Sequence, residues 1–428
     1  MRIQMKTDNL DKTRWIALVA AVFLMATLSY ASTWSLMVNP MIEERGATDH
    51  QMAMIMSMVT ISGMIFSLIG GKLLDKWGST VINLTAIFTF AACQFICGIT
   101  SGVWGFGIAN VVLLSWQSSV VYIAVYANVT KLFPDKRGTA IAISGMGITG
   151  GSMLVTPFCQ WLIDSFGFGM QFYVIGIIFT VVGLAALYFF PRPAEGYVPA
   201  GYMPAENNEN DTENSEGNTA FVQKDWKMMI KDPAFYMAFL MPILCMTTGQ
   251  MLNYQLSWMA QDIVKVTPAH AAWMLSGVFL MATLGKLFWG MLADKIGRLN
   301  IMIVLAGLSM FAMAGMMFMG EGKVIMFTAL AFVGSFASGG HSSTYPALIS
   351  DMFGSKHYGF NYSICYQSIM IASFVAPWIA VLGRGEGGEG NYMLTFGIVS
   401  VMAAVGLVFT IILRIMKKGK LESDVIKK

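Results

Sequence analysis

One cation stands where lipid-soluble residues are expected. The stretch LMATLGKLFWGMLADKIGR, residues 280–298, begins as an apolar run, carries Lys286 and closes in a charged turn. An ammonium at bilayer depth costs at least ~2.5–3.5 kcal/mol on insertion scales, so it is a functional-site candidate. Two readings are open. The long stem could snorkel to the headgroups, or the charge could face an internal cavity. Ser276, Thr283 and Gly290 lie on or near the same helical face and favour the cavity, because that face is small and polar.

Other polar residues fall inside apolar runs and could join such a site. His341, in SGGHSSTYP with Tyr345, could titrate or hydrogen-bond a carboxylate, or could be a neutral core histidine. SWQSSVVYIAVY offers Gln117, Tyr122 and Tyr126; a later run offers Asn361, Tyr366 and Gln367; Tyr30 and Trp34 lie in the first apolar run. Taken singly, aromatic residues at these depths are as well explained by packing or by an interfacial belt. No Walker loop, H-E-x-x-H or G-x-S-x-G motif occurs, so ATP-driven transport and the common membrane hydrolases are not indicated. No carboxylate sits within a span, which removes the usual Asp or Glu proton relay or sodium ligand.

The elements that position these residues follow from composition. Hydrophobic residues make up 56% of the 428, and charged residues 12%, against about 25% in soluble domains. The chain is a multi-span membrane protein, and its net charge of +3 gives no sign of nucleic-acid binding. Five cysteines, all in apolar runs, form neither a disulfide framework nor a paired C-x-x-C site, so no metal or cofactor is expected. A span needs about 20 mostly apolar residues. That rule predicts an all-α fold of twelve spans: 15–38, 51–71, 79–100, 103–130, 138–162, 168–190, 234–260, 269–291, 299–319, 324–349, 359–383 and 391–414. The first is too long for a removed signal. They divide into a six-helix half at 1–190, a linker at 191–232, a second half at 233–416 and a tail at 417–428. The linker contains PAENNENDTENSEGNTA, acidic and without apolar periodicity. Counting Lys and Arg by loop places 22 on the side of both termini and the linker and 4 on the other, with Lys286 completing the 27. The termini and linker are therefore expected in the cytoplasm.

The charged turn after Lys286 has a twin. GGKLLDKWGST (70–80) and WGMLADKIGRL (289–299) share G-x-x-x-D-K-x-G, with Gly71, Asp75, Lys76 and Gly78 matching Gly290, Asp294, Lys295 and Gly297 at an offset of 219. Arg298 follows the second copy. YANVTKLFPDKRG (126–138) and YPALISDMFGSKHYG (345–359) form a second pair, and Pro157 and Pro377 a third. The chain is a parallel duplication of a six-helix unit. At the lysine position the other copy carries Ser67, so the scaffold itself does not require a cation there.

These paired turns resemble the signature of the major facilitator superfamily, which implies two pseudo-symmetric six-helix halves. It also assigns the residues of the two turns to gating at the cytoplasmic side. WSLMVNP (34–40), PRPAEGYVPAGYMP (191–204), DWKMMIKDPAFYMAFLM (225–241) and the placement of Lys286 resemble, more narrowly, the oxalate–formate antiporter family of carboxylate exchangers. That resemblance implies a substrate carboxylate on Lys286, where the family usually has arginine. It departs from the oxalate exchanger at Ile369, where a second cation would fall, and at Ser32, where a tyrosine would fall. One cation suits one carboxylate. The expectation is therefore a monomeric secondary transporter of the cell membrane, embedded in lipid and moving small monocarboxylates by antiport or facilitated exchange. Proton symport, dicarboxylate exchange and, more remotely, a transporter-like sensor are the alternatives; no enzyme activity is expected.

Overall fold

The computed structural model describes residues 7–191, 223–384 and 392–426, and every long element among them is helical. Twelve helices are long and apolar enough to cross a membrane. The first, α1, is composite: Thr7–Ala26, a 3-10 segment Thr27–Thr33, then Trp34–Arg45. Its break has a local cause. The hydroxyls of Thr27, Ser29 and Thr33 each donate to the carbonyl three residues back, which tightens the turn. The rest of the first half is α2 (Asp49–Trp77), α3 (Ser79–Ile99), α4 (Val103–Leu132), α5 (Arg137–Phe166) and α6 (Phe168–Tyr188). The second half is α7 (Pro233–Ile263), α8 (Pro268–Ile296), α9 (Arg298–Met316), α10 (Val324–Phe353), α11 (Tyr358–Arg384) and α12 (Tyr392–Ile426). α12 continues as helix past the expected span end into the tail.

Packing repeats as the sequence does. In the first half α2 packs on α4, α3 on α6 and α1 on α5; in the second, α8 packs on α10, α9 on α12 and α7 on α11. The halves meet chiefly along α5 with α8 and α2 with α11. Gly78 and Gly297 end α2 and α8 at φ +85° and +96°, a conformation that favours glycine and makes both turns tight.

Of the expected linker, Pro191 and residues 223–232 are described; 192–222 lie outside. Asn128 Nδ2 of α4 donates to Pro191 O at 3.0 Å, and Asn361 Nδ2 of α11 donates to Lys224 O at 2.8 Å. Both anchors therefore sit at one end of the bundle, the linker end.

Candidate functional site

Lys286 is buried at the boundary between the halves. It projects from α8, and its Nζ donates to the carbonyl of Gly145 on α5 at 3.1 Å. Glycine at 145 is what lets the groups converge, since a Cβ there would stand 2.8 Å from the Tyr126 hydroxyl and 3.7 Å from Lys286 Cδ. Ser343 of α10 donates to the Lys286 carbonyl at 3.1 Å and steadies that turn of α8. The lysine points into protein, and the snorkelling reading does not describe it. Of the residues expected on its face, Thr283 lies 2.7 Å from Thr149 Oγ1 on α5, and Gly290 packs against Ala142 and Gly138 of α5. Ser276 is exposed.

Lys286 is one rung of a ladder. Down α8 towards the linker end, Thr283, Lys286, Gly290 and Asp294 meet Thr149, Gly145, Ala142 and Gly138–Thr139 of α5. The Asp294 carboxylate accepts the amides of Gly138 (2.9 Å) and Thr139 (2.7 Å) and the Thr139 hydroxyl, capping α5 across the interface. Arg298 pairs with Asp294 at 3.2 Å and with Asp351, which also holds Arg137 at 3.0 Å. Arg137 belongs to the first half and Asp351 to the second.

The twin ladder joins α2 to α11. Asp75 accepts the amides of Gly359 (3.1 Å) and Phe360 (3.0 Å), and Gly71 packs against Ser363. Gln367 Nε2 lies 2.6 Å from Ser67 Oγ and 3.2 Å from Met64 O. Ser67, the repeat mate of Lys286, thus also crosses the interface, through a neutral contact. Lys76 and Lys295 are exposed beside their aspartates.

Between the two ladders lies a cluster of tyrosines. Tyr122 and Tyr126 of α4 meet Tyr362 and Tyr366 of α11: ring centroids are 4.6 Å apart for Tyr122–Tyr126 and 4.9 Å for Tyr122–Tyr366. Tyr362 also contacts Tyr345 and stacks on Tyr358 at 5.1 Å. Tyr345 donates to Cys365 O at 3.3 Å.

Not every expected residue joins this region. Tyr30 packs on Phe90 and Trp34 on Phe106, both within the first half's own core, so the structure does not bring these two to Lys286. Gln117 Nε2 donates to Thr27 Oγ1 at the α1 break, 3.1 Å away. Asn361 turns to the linker. His341 is buried in the second half, with Nδ1 3.1 Å from Ala337 O and Nε2 without a partner among the described residues. Tyr358, Tyr362, Arg137 and Asp351 were not singled out by sequence, whereas Gly145 opens GMGITGG (145–151), whose small residues indicate a close helix contact. Arg137, Asp351 and Tyr358 stand inside the second repeated motif; that the Gly145 carbonyl serves as an acceptor has no sequence signal.

The profile of the Major Facilitator Superfamily matches residues 19–254 and 239–426, so both halves carry it. The chain belongs to the Major Facilitator Superfamily. Among its relatives, the oxalate:formate antiporter of Oxalobacter formigenes is 23% identical over 402 residues, covering 91% of this chain and 90% of that one. The MFS-type transporter YhjX of Escherichia coli K12 is 22% identical over 375 residues, covering 86% and 88%. Solved structures share the fold at lower identity. The transporter FucP in its outward conformation superposes with a TM-score of 0.70 at 15% identity, covering 93% of this chain and 98% of that one. A bacterial homologue of ferroportin, outward-facing, reaches 0.73 at 11%, covering 94% and 99%. This major facilitator is a membrane-embedded secondary transporter and not an enzyme.

Proposed function

We propose that this transporter exchanges small monocarboxylates across the cell membrane by alternating access, as a monomer with the linker end in the cytoplasm. The observation that carries the substrate class is Lys286. Its ammonium has three donors, and among the described residues Gly145 O is its one acceptor. A buried cation so sparsely paired favours an anionic partner. The likeness to the oxalate:formate antiporter supports a carboxylate. The absence of a second cation at Ile369, a buried α11 residue, favours a single negative charge. The two aspartate-capped helix starts then act as the cytoplasmic gate, closed in this structure, with Gly71, Asp75, Gly78, Gly290, Asp294, Gly297 and Arg298 as its parts.

Inhibition of labelled uptake in proteoliposomes tests the reading. Lactate-, pyruvate- and formate-sized anions should compete far better than oxalate or malonate at equal concentration and fixed pH. Ile369→Lys should move preference towards dicarboxylates. Oxalate as the strongest competitor of the wild-type protein would overturn the one-cation argument. A second reading, proton-coupled symport, is favoured by one observation, the unpartnered Nε2 of His341. It requires substrate-driven proton movement that His341→Gln abolishes.

A further inference from the structure

The start of α11 is gripped twice, by two different parts of the chain. Asp75 of the first half takes the amides of Gly359 and Phe360. On the adjoining residues sits the last stretch of the linker. Trp226 meets the Phe360 ring edge-on, with centroids 6.0 Å apart at 86°. The Asn361 side chain donates to Lys224 O at 2.8 Å. The strap is itself fastened to the preceding turn. The Lys224 amide donates to Phe353 O at 3.0 Å, and Gln223 Oε1 accepts the Lys356 amide at 2.9 Å. Gly354, at φ +86°, leaves no room for a Cβ beside Gln223. A short helix, Trp226–Lys231, capped by Asp225, and an ion pair from Lys224 to Asp232 then tie the strap to the start of α7.

We propose that residues 223–232 are a positioning element for the proposed gate: they hold the first turn of α11 in the orientation in which Asp75 caps it. A cap needs its amides aimed at the carboxylate within hydrogen-bond range. Phe360 is the residue through which both grips pass, its amide to Asp75 and its ring to Trp226. The strap is continuous with α7 and stays with the second half, whereas Asp75 departs with the first. Loosening the strap therefore weakens the closed state without touching the residues around Lys286. The proposal rests on the reading of Asp75 as a gate residue.

Spin labels at Thr80 of α3 and Asn300 of α9 report the separation of the halves at the linker end in the full-length protein. Trp226→Ala and Asn361→Ala should each raise the open-to-closed ratio by about two- to tenfold, the size of one ring contact or hydrogen bond. Trp226→Phe should restore most of the closed population, and the thermal midpoint should stay near wild type. Because Trp226 acts through the cap, Asp75→Asn combined with Trp226→Ala should shift the ratio no further than Asp75→Asn alone. Unchanged distances in the strap variants, with a clear shift in Asp75→Asn, would overturn the proposal and leave the gate intact. Additive shifts would also overturn it. No shift in Asp75→Asn would remove the gate reading and this proposal together.

Discussion

The α5–α8 and α2–α11 seams share a plan and differ in charge. Each places an aspartate on the start of a helix in the opposite half, then a glycine contact, then a polar contact one turn further. On the α5–α8 seam the aspartate is half-buried, is paired to Arg298, and adjoins the Arg137–Asp351 bridge between halves; the polar contact is an ammonium. On the α2–α11 seam the aspartate is exposed and the polar contact joins a serine to an amide. Hydrogen bonds to charged groups are worth roughly twice those between neutral ones. Duplication supplied the aspartate cap and glycine contact twice, and only one copy carries a charge at the polar rung. On the proposed reading of Lys286, the difference separates what the scaffold needs in order to close from what a substrate needs in order to bind.

The largest expected effect is at the charged polar rung. Lys286→Ala should abolish uptake in a folded, inserted protein, because a carboxylate loses its counter-charge; Lys286→Arg should keep part of it. Wild-type uptake by the alanine variant would erase the functional difference between the seams. Next is Asp294→Asn, expected to raise the open-to-closed ratio at the linker end by about tenfold or more and so to slow transport, since charge-assisted bonds of ~1.5–3 kcal/mol that hold the closed state are lost. Equilibrium substrate binding should change much less, and binding that falls in step with transport would contradict a gating role. Asp75→Asn should raise the same ratio by about fivefold, because its carboxylate takes two amides with no ion pair to an arginine among the described residues. An effect equal to that of Asp294→Asn would show that the arginines around Asp294 and Asp351 contribute nothing. Smallest is Ser67→Ala, expected to lower transport by about twofold for one neutral hydrogen bond. A loss approaching that of Lys286→Ala would place substrate contacts on both seams.

Much of this plan is legible in the sequence, for physical reasons. Twenty-residue apolar runs must become helices in lipid, so the twelve spans follow from hydropathy. The paired D-K-x-G turns reveal the duplication because glycine at positive φ is hard to replace, as at Gly78 and Gly297. The seven-residue stretch GMGITGG reads as a close helix contact, and Gly147 and Gly151 do abut α1 at Val22 and Ser29. Other features are hidden. The α1 break lies within an apolar run, and only the Thr27, Ser29 and Thr33 hydroxyls hint at it. Tyr30 and Tyr126 are the same residue type at similar depth, yet one packs inside a half and the other faces the seam. Which side a tyrosine takes depends on helix rotation, and a residue type alone does not encode that.

The two linker anchors have a mechanical consequence. From Pro191, held by Asn128, to Lys224, held by Asn361, the chain has 33 residue steps. Fully extended, that length could reach about 110 Å, several times the thickness of a bilayer. A contour of that length does not by itself limit how far the two anchors can separate as the halves rock. The limits of the motion then lie in the contacts that join the halves, and halves produced as separate polypeptides should still associate, which co-purification checks.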